Sequence, residues 1–437
     1  MELVNKGNFE KALDELKNNQ NNCVSSLYDE KIRVGDGILN ECVFTIKDNY
    51  ATESKKTTAS SKILENFMPH YNATVVQKLL DAGAVPVAKV HCDELALGGT
   101  GKHSAFGLIT NPFDSSRLAG GSSSGSAATL TKNVAFSLGS DTGDSVRLPA
   151  SYNGLVGFKP SYGAISRFGL FAFASSLDTV AYFAHNVSDI ATLSQVAFGK
   201  DPRDMTSLSI KINDVMKAKP QKIGILNVHG LEEFVDKKYK ELISELSNVT
   251  NVELVDINET LFKAIKPVYE IISYSEASSN LANLNGIAFG SRKDGSNWEE
   301  IMTNTRAEGF GEMVQLRLAL GSFFLHSKNQ EEMILKAQKV RRLIKEHLDS
   351  IHKRFDIVIY PCAADYAPYI DDSKNKLHGY MDYILTGANL AGNPSLSIPW
   401  IKDNLFVNLS IDSKIYEDEK LLSHALWIEE FLKESNE

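Results

Sequence analysis

Two rhythms of apolar and polar positions run along the chain. Residues 8–19 carry Phe9, Ala12, Leu13 and Leu16 at helical spacing among charged neighbours, which predicts an amphipathic helix, and residues 73–82 predict another. Short apolar runs without polar alternation, CVFTIK at 42–47 and AVPVAKV at 84–90, predict strands with no wet face. The alternation resumes further on. KIGIL at 222–226, VELVDI at 252–257 and DIVIYP at 356–361 read as strands, and 232–248, 258–284, 308–326 and 329–354 as helices. Strands this apolar, alternating with helices, predict an α/β fold: a mixed, mostly parallel central sheet covered by helices on both faces. Residues 200–222 give no reading beyond a connecting segment. No repeat of fixed period interrupts the pattern.

Glycine changes that picture locally. Of 29 glycines, 13 fall between Gly98 and Gly169, in a stretch also rich in serine. A flexible linker of that composition would not carry apolar elements such as VAFSLGS and NGLVGFKP, so the stretch belongs to the fold and bends its backbone in unusual ways.

Composition narrows the function. The 437 residues are 43% hydrophobic and 23% charged, which is globular usage. Lys and Arg number 46 against 55 Asp and Glu, for a net charge of −9, so a direct grip on a nucleic-acid backbone is not expected. Cys23, Cys42, Cys92 and Cys362 form no C-x-x-C pair, which excludes a zinc ribbon and a redox pair and suits a reducing cytosol. The N-terminal MELVNKGNFEKALDELKNN is polar where a signal peptide is basic and then apolar, and no apolar run reaches the ~20 residues of a membrane span. A cytoplasmic protein without membrane attachment is expected.

Candidate chemistry centres on GGSSSGSAA at 120–128 and SLGSDTGDSVRLPAS at 137–151, two serine-glycine loops flanking a short helix and a strand. Gly121 to Gly125 matches G-x-S-x-G, but the NPFDSSRLA before it is not the strand that a nucleophile elbow requires. GGTGKHS at 98–104 fails as a phosphate loop, because it lacks the earlier glycine and has His103 where Ser or Thr should follow the lysine. Taken together, the two blocks resemble the signature of the amidase signature family. The likeness continues through FTIKDNY at 44–50, KVHCDELALGG at 89–99 and NGLVGFKPSYGAISRFGLFAFASSLDT at 153–179. SYSEASSNLA, EGFGEMVQLRLALGSFFL, LKAQKVRRLIKE and NLAGNPSLSIP further on resemble the family's tRNA-dependent amidotransferase branch.

This resemblance implies a single domain over 1–437, with an N-terminal helical part at 1–40, a catalytic core at 41–200 and a substrate-specificity region at 201–437. It implies a catalytic group of Ser145 as nucleophile, Ser122 in a cis peptide as bridge, and Lys47 as base. A serine needs a base within reach, and a lysine is one only when its amine is neutral, which burial and a cationic neighbourhood favour. The oxyanion hole falls to the backbone N–H groups of Thr142, Gly143, Asp144 and Ser145, since consecutive amides in a glycine-rich turn form an anion nest. Asp144 stands where the family usually has glycine, and its side chain is expected to point away. Arg317 is implied to hold the α-carboxylate of glutamine, Asp382 its α-ammonium, and Tyr269 to line the site. Outside the resemblance, a lysine ending a strand is usually a solvated end, a serine beside glycine a turn, and Arg317 a surface helix residue.

The implied activity is hydrolysis of glutamine to glutamate, with the ammonia passed to a partner that amidates an activated carboxylate on glutamyl- or aspartyl-tRNA. No metal or organic cofactor is expected in this chain; ATP and Mg belong to the partner. The expected partners are a B subunit together with a small C subunit, and charged tRNA through them. A stand-alone amidase for a small free amide is the first alternative. A binding subunit that has lost catalysis is the second, motivated by Asp144 and opposed by intact Lys47, Ser122 and Ser145.

Overall fold

The computed structural model describes residues 3–434. Strands are β1 (Val24–Leu27), β2 (Val43–Lys47), β3 (Val85–Val90), β4 (Phe136–Asp141), β5 (Val156–Lys159), β6 (Thr179–Ala184), β7 (Lys222–Asn227), β8 (Asn251–Asp256), β9 (Ile357–Pro361), β10 (Ser395–Lys402) and β11 (Phe406–Asp412). Helices are α1 (Phe9–Lys17), α2 (Thr74–Asp81), α3 (Ser124–Ala128), α4 (Arg147–Asn153), α5 (Val187–Ala197), α6 (Glu233–Val249), α7 (Glu259–Asn280), α8 (Trp298–Gly309), α9 (Glu312–Leu325), α10 (Lys336–His352), α11 (Thr386–Ala391) and α12 (Asp418–Glu434). Local chemistry sets several boundaries. Asn8 caps α1 by accepting from the Lys11 N–H, and Phe9, Ala12 and Leu16 form its buried face. Gly154 ends α4 at φ 64°, a left-handed conformation that a side chain would oppose.

All strands join one sheet in the order β1-β3-β2-β4-β6-β5-β10-β11-β9-β7-β8. Every residue of β2, β3, β4, β5, β6 and β9 is buried, so helices and loops cover both faces there, as the unbroken apolar runs require. The sheet is mixed, but the expected parallel majority is absent. β2 pairs in parallel with β3 and β4, and β7 with β8 and β9, whereas the six other pairings are antiparallel. The parallel runs are those whose strands are joined by helices; the middle of the sheet is built from the β5, β6, β10 and β11 pairings. Residues 1–40 are not wholly helical either, because β1 follows α1 and pairs antiparallel with β3. Within 329–354 the helix α10 starts later than expected, after a π turn at Glu331–Leu335. No helix among the described residues is long and apolar enough to cross a membrane.

β2 and β4 are parallel neighbours with Ile46 opposite Leu138, so Lys47 and Ser140 arrive at the same carboxyl edge of the sheet. That edge is where open α/β sheets place their ligands.

Candidate active site

Lys47 ends β2 with its side chain fully buried. Its Nζ lies 2.8 Å from Ser122 Oγ, 3.0 Å from Ser123 Oγ and 2.9 Å from Ser140 Oγ. Burial lowers the Lys47 pKa below the ordinary lysine value. Burial, and not a cationic neighbour, is the cause. Asp93, Asp141 and Asp178 are the nearby charges and pull the pKa up, so loss of solvent alone favours the neutral amine. The three hydroxyls show how that amine is held. Ser123 Oγ donates to the Ser140 carbonyl at 3.1 Å and can therefore only accept from Lys47. Ser140 Oγ also accepts from Asn49 Nδ2 at 3.0 Å. With Ser123 and Ser140 taking its two N–H groups, a neutral Lys47 turns its lone pair to Ser122.

The Gly121–Ser122 peptide is cis, as the resemblance implies. The Gly98–Ser104 loop that failed as a phosphate site wraps a carboxylate instead. Asp93 accepts from the N–H groups of Thr100, Gly101 and His103 at 2.9–3.1 Å, and Gly121 N–H donates to the Gly99 carbonyl. A Cβ on Gly121 would come within 2.2 Å of Asp93, which requires glycine there.

Ser145 lies between β4 and α4, 4% exposed, and its carbonyl accepts from the Ser123 N–H at 3.2 Å. That bond sets the Ser145 turn beside the Ser122 loop. In this structure no hydrogen bond joins Ser145 Oγ to Ser122 Oγ among the described residues. The turn itself is held from behind. Asp141 accepts from the Val146 N–H at 2.9 Å and pairs with Arg147, both side chains fully buried. Arg147 donates to the Gly143 carbonyl at 2.9 Å and also to Leu385, Asn389 and Ser395. Asp178 accepts from Thr142 Oγ1 at 2.7 Å, and burial raises its pKa to about 6. The backbone N–H groups of Thr142, Gly143, Asp144 and Ser145 donate to no acceptor among the described residues. Because Arg147 fixes the Gly143 carbonyl, the Asp144 N–H across the same peptide plane faces the other way, free for an anion.

A cavity of about 380 Å³ opens beside this turn, lined by Gly143, Asp144, Tyr152, Lys266, Tyr269, Arg317 and Asp382 among others. Tyr269 packs on the turn, its ring 3.1 Å from where a Cβ of Gly143 would stand. Arg317 stacks over Tyr274 at 5.1 Å, and its guanidinium has neither a hydrogen-bond nor an ion-pair partner among the described residues. Asp382 is exposed at the rim and accepts from the His378 N–H at 3.1 Å. Asp144 does not point away as expected; it lines the cavity, because the buried side of the turn is already filled by the Asp141–Arg147 pair. Sequence reasoning missed Ser123, Ser140, Asn49, Asp141 and Arg147. All but Asn49 lie within or beside the two serine-glycine blocks, and the Asp141–Arg147 pair of opposite charges inside the second block was the available signal.

A buried lysine–serine pair, a second serine in an amide-lined turn and an adjoining cavity define a serine-dependent amide hydrolase. Residues 18–422 match the amidase family model, and the chain belongs to the amidase signature family. It is similar to the A subunit of glutamyl-tRNA(Gln) amidotransferase from Thermoanaerobacter pseudethanolicus, with 41% identity covering 92% of this chain and 85% of that protein. The protein of the same name from Mycoplasma genitalium is 39% identical over 92% of this chain and 89% of its own length. The crystal structure of the same enzyme's A subunit from Thermotoga maritima superposes with a TM-score of 0.80 at 34% identity, covering 95% of this chain and 89% of that one.

Proposed function

We propose that this chain is the glutaminase subunit of a tRNA-dependent amidotransferase, in keeping with its likeness to amidotransferase relatives over most of its length. Ser145 Oγ attacks the side-chain amide carbon of glutamine while its proton passes through Ser122 to the neutral Lys47. The negative oxygen of the tetrahedral intermediate sits on the free N–H groups of residues 142–145. Collapse of that intermediate, with the proton returned through Ser122, releases ammonia and leaves a glutamyl ester on Ser145. Water activated by the same relay then frees glutamate. The ammonia goes to the partner, a B subunit with its small C subunit, where ATP and Mg activate the tRNA-linked carboxylate.

The observation that carries this reading is the unpaired Arg317 guanidinium in the cavity beside the Ser145 turn. An arginine fork matches a carboxylate, so the cavity is made for an amide that also bears an acid. The test is ammonia release from glutamine by the purified chain, then by the chain with its co-purifying partners and glutamyl-tRNA. Slow turnover alone and at least a several-fold rise in the assembly are expected, because a partner that favours the competent state must shift it. Equal turnover of glutamine and butyramide, unchanged by partner and tRNA, would make the chain a stand-alone amidase.

A further inference from the structure

We propose that Glu94 is a positioning residue for substrate selection: its buried carboxylate fixes the start of α9 against the loop that holds Ser122, and so sets where Arg317 stands in the cavity. The inference rests on the glutaminase reading and adds to it a residue that touches neither the substrate nor the reacting atoms.

Glu94 is 2% exposed and opens a 3-10 turn at Glu94–Ala96. Leu95 and Ala96 take φ values of 53° and 61°, left-handed positions that side chains oppose, so the turn is held in shape by what surrounds it. The Leu95 N–H donates to the Ala59 carbonyl at 2.8 Å, and the Glu94 N–H to the His103 carbonyl at 3.1 Å. One residue earlier, the Asp93 N–H donates to the Ser122 carbonyl at 3.1 Å, while the Asp93 carboxylate gathers the loop at 100–103. The backbone at 93–94 is therefore part of the frame around Ser122.

The Glu94 side chain leaves that frame and ends on α9. Its Oε2 accepts from the Gly311 N–H at 2.9 Å, and its Oε1 accepts from Ser61 Oγ. Gly311 is the N-cap of α9 and brings no side chain of its own; Glu94 supplies the carboxylate there, at the positive end of the helix dipole. A Cβ on Gly311 would come within 2.6 Å of Oε2, so glycine is what lets the two meet.

The helix needs such an anchor. It buries three of its 14 residues, Val314, Leu318 and Gly321, and leaves Leu316, Leu320 and Phe323 exposed. Its later part is fixed on α7, where the Leu318 carbonyl accepts from Ser278 Oγ at 2.9 Å and a Cβ on Gly321 would come within 1.9 Å of the Tyr274 carbonyl oxygen. Arg317 lies between the two anchors, ~9 Å along the axis from Gly311. Apart from its stack on Tyr274 it has no hydrogen-bond or ion-pair partner among the described residues, so a shift of the helix start is a shift of the guanidinium. A displacement of about 1 Å at such a group is enough to cost a binding site its fit.

The experiment uses the full chain with its co-purifying partners and measures ammonia release from glutamine and from butyramide, an amide with no carboxylate for Arg317. Glu94→Ala should raise KM for glutamine roughly ten-fold or more, with kcat changed less than about two-fold, and should leave kcat/KM for butyramide as in wild type. Gly311→Ala, which pushes on the same contact from the helix side, should give the same split. Glu94→Gln, which keeps an acceptor for the Gly311 N–H, should restore most of the wild-type KM. In an Arg317→Ala background, Glu94→Ala should add no further loss on glutamine, because its effect passes through that guanidinium. Circular dichroism checks the fold, and Gly311→Ala carries the comparison if Glu94→Ala does not fold. Equal losses on both amides, no loss on either, or losses that add to those of Arg317→Ala would overturn the proposal and leave Glu94 a residue of the fold. A wild type inert toward glutamine would instead overturn the glutaminase reading, and this inference with it.

Discussion

A lysine that must take up a proton near neutral pH has to lose the solvation that keeps it charged. Lys47 achieves this inside the protein with three serine hydroxyls as its hydrogen-bond partners among the described residues and against the pull of three carboxylates. Activity should therefore rise with pH as the amine loses its proton, and fall below the lowered pKa, where the ammonium has no lone pair to offer. Lys47→Arg should cut kcat for glutamine by at least ~100-fold, since a guanidinium stays protonated at any working pH. Ammonia release at saturating glutamine, with circular dichroism to confirm the fold, checks this; near wild-type turnover would remove Lys47 from the relay. At this scale Lys47, Ser122 and Ser145 were legible because each sits in a motif of distinctive neighbours. Ser123 and Ser140 were not, because one serine among many in a glycine-rich run looks like another until the β2–β4 register brings it to Lys47.

The β4–α4 turn shows how elements, and not single side chains, would make the proposed anion site. Its amides are free because Asp141, Arg147 and Asp178 satisfy the rest of the turn from the protein side. Arg147→Met would strand Asp141 as an uncompensated buried charge, a loss of about 3–5 kcal/mol. Urea unfolding followed by circular dichroism should show that loss as a lower midpoint with little change in slope. Helices α1, α2, α6, α7, α9 and α10 were readable from periodicity, and β2, β3, β7, β8 and β9 from apolar runs. α8 was not, since WEEIMTNTRAEG buries only Thr305 and Gly309 and carries no apolar stripe. The antiparallel centre also escaped notice. β5 is four residues with a glycine, β10 contains Pro399 and two serines, and the two pair across more than 200 residues of sequence.

The whole molecule is tied through that centre. β5, from the first half of the chain, is held between β6 and β10, so the sheet has no seam at which the halves could part without breaking a ladder. Urea should therefore abolish glutaminase activity and native tryptophan fluorescence over the same range. Activity reports the Lys47–Ser145 part of the sheet, whereas Trp400 in β10 and Trp427 in α12 report the second half of the chain. Two separated transitions would contradict the shared sheet.

The cavity draws its two walls from different stretches of sequence. Lys47, Ser122 and Ser145, with the turn proposed to bind the oxyanion, all precede residue 154, while Lys266, Tyr269, Arg317 and Asp382 hang from α7, α9 and the turn at Gly379–Tyr383. Evolution can thus change the diet of such an enzyme by drift in its second half while the machinery that cuts the amide is inherited intact. Asp144 is the exception: by sequence it belongs to the turn of the first wall, yet it lines the cavity alongside Arg317 and Tyr269 of the second.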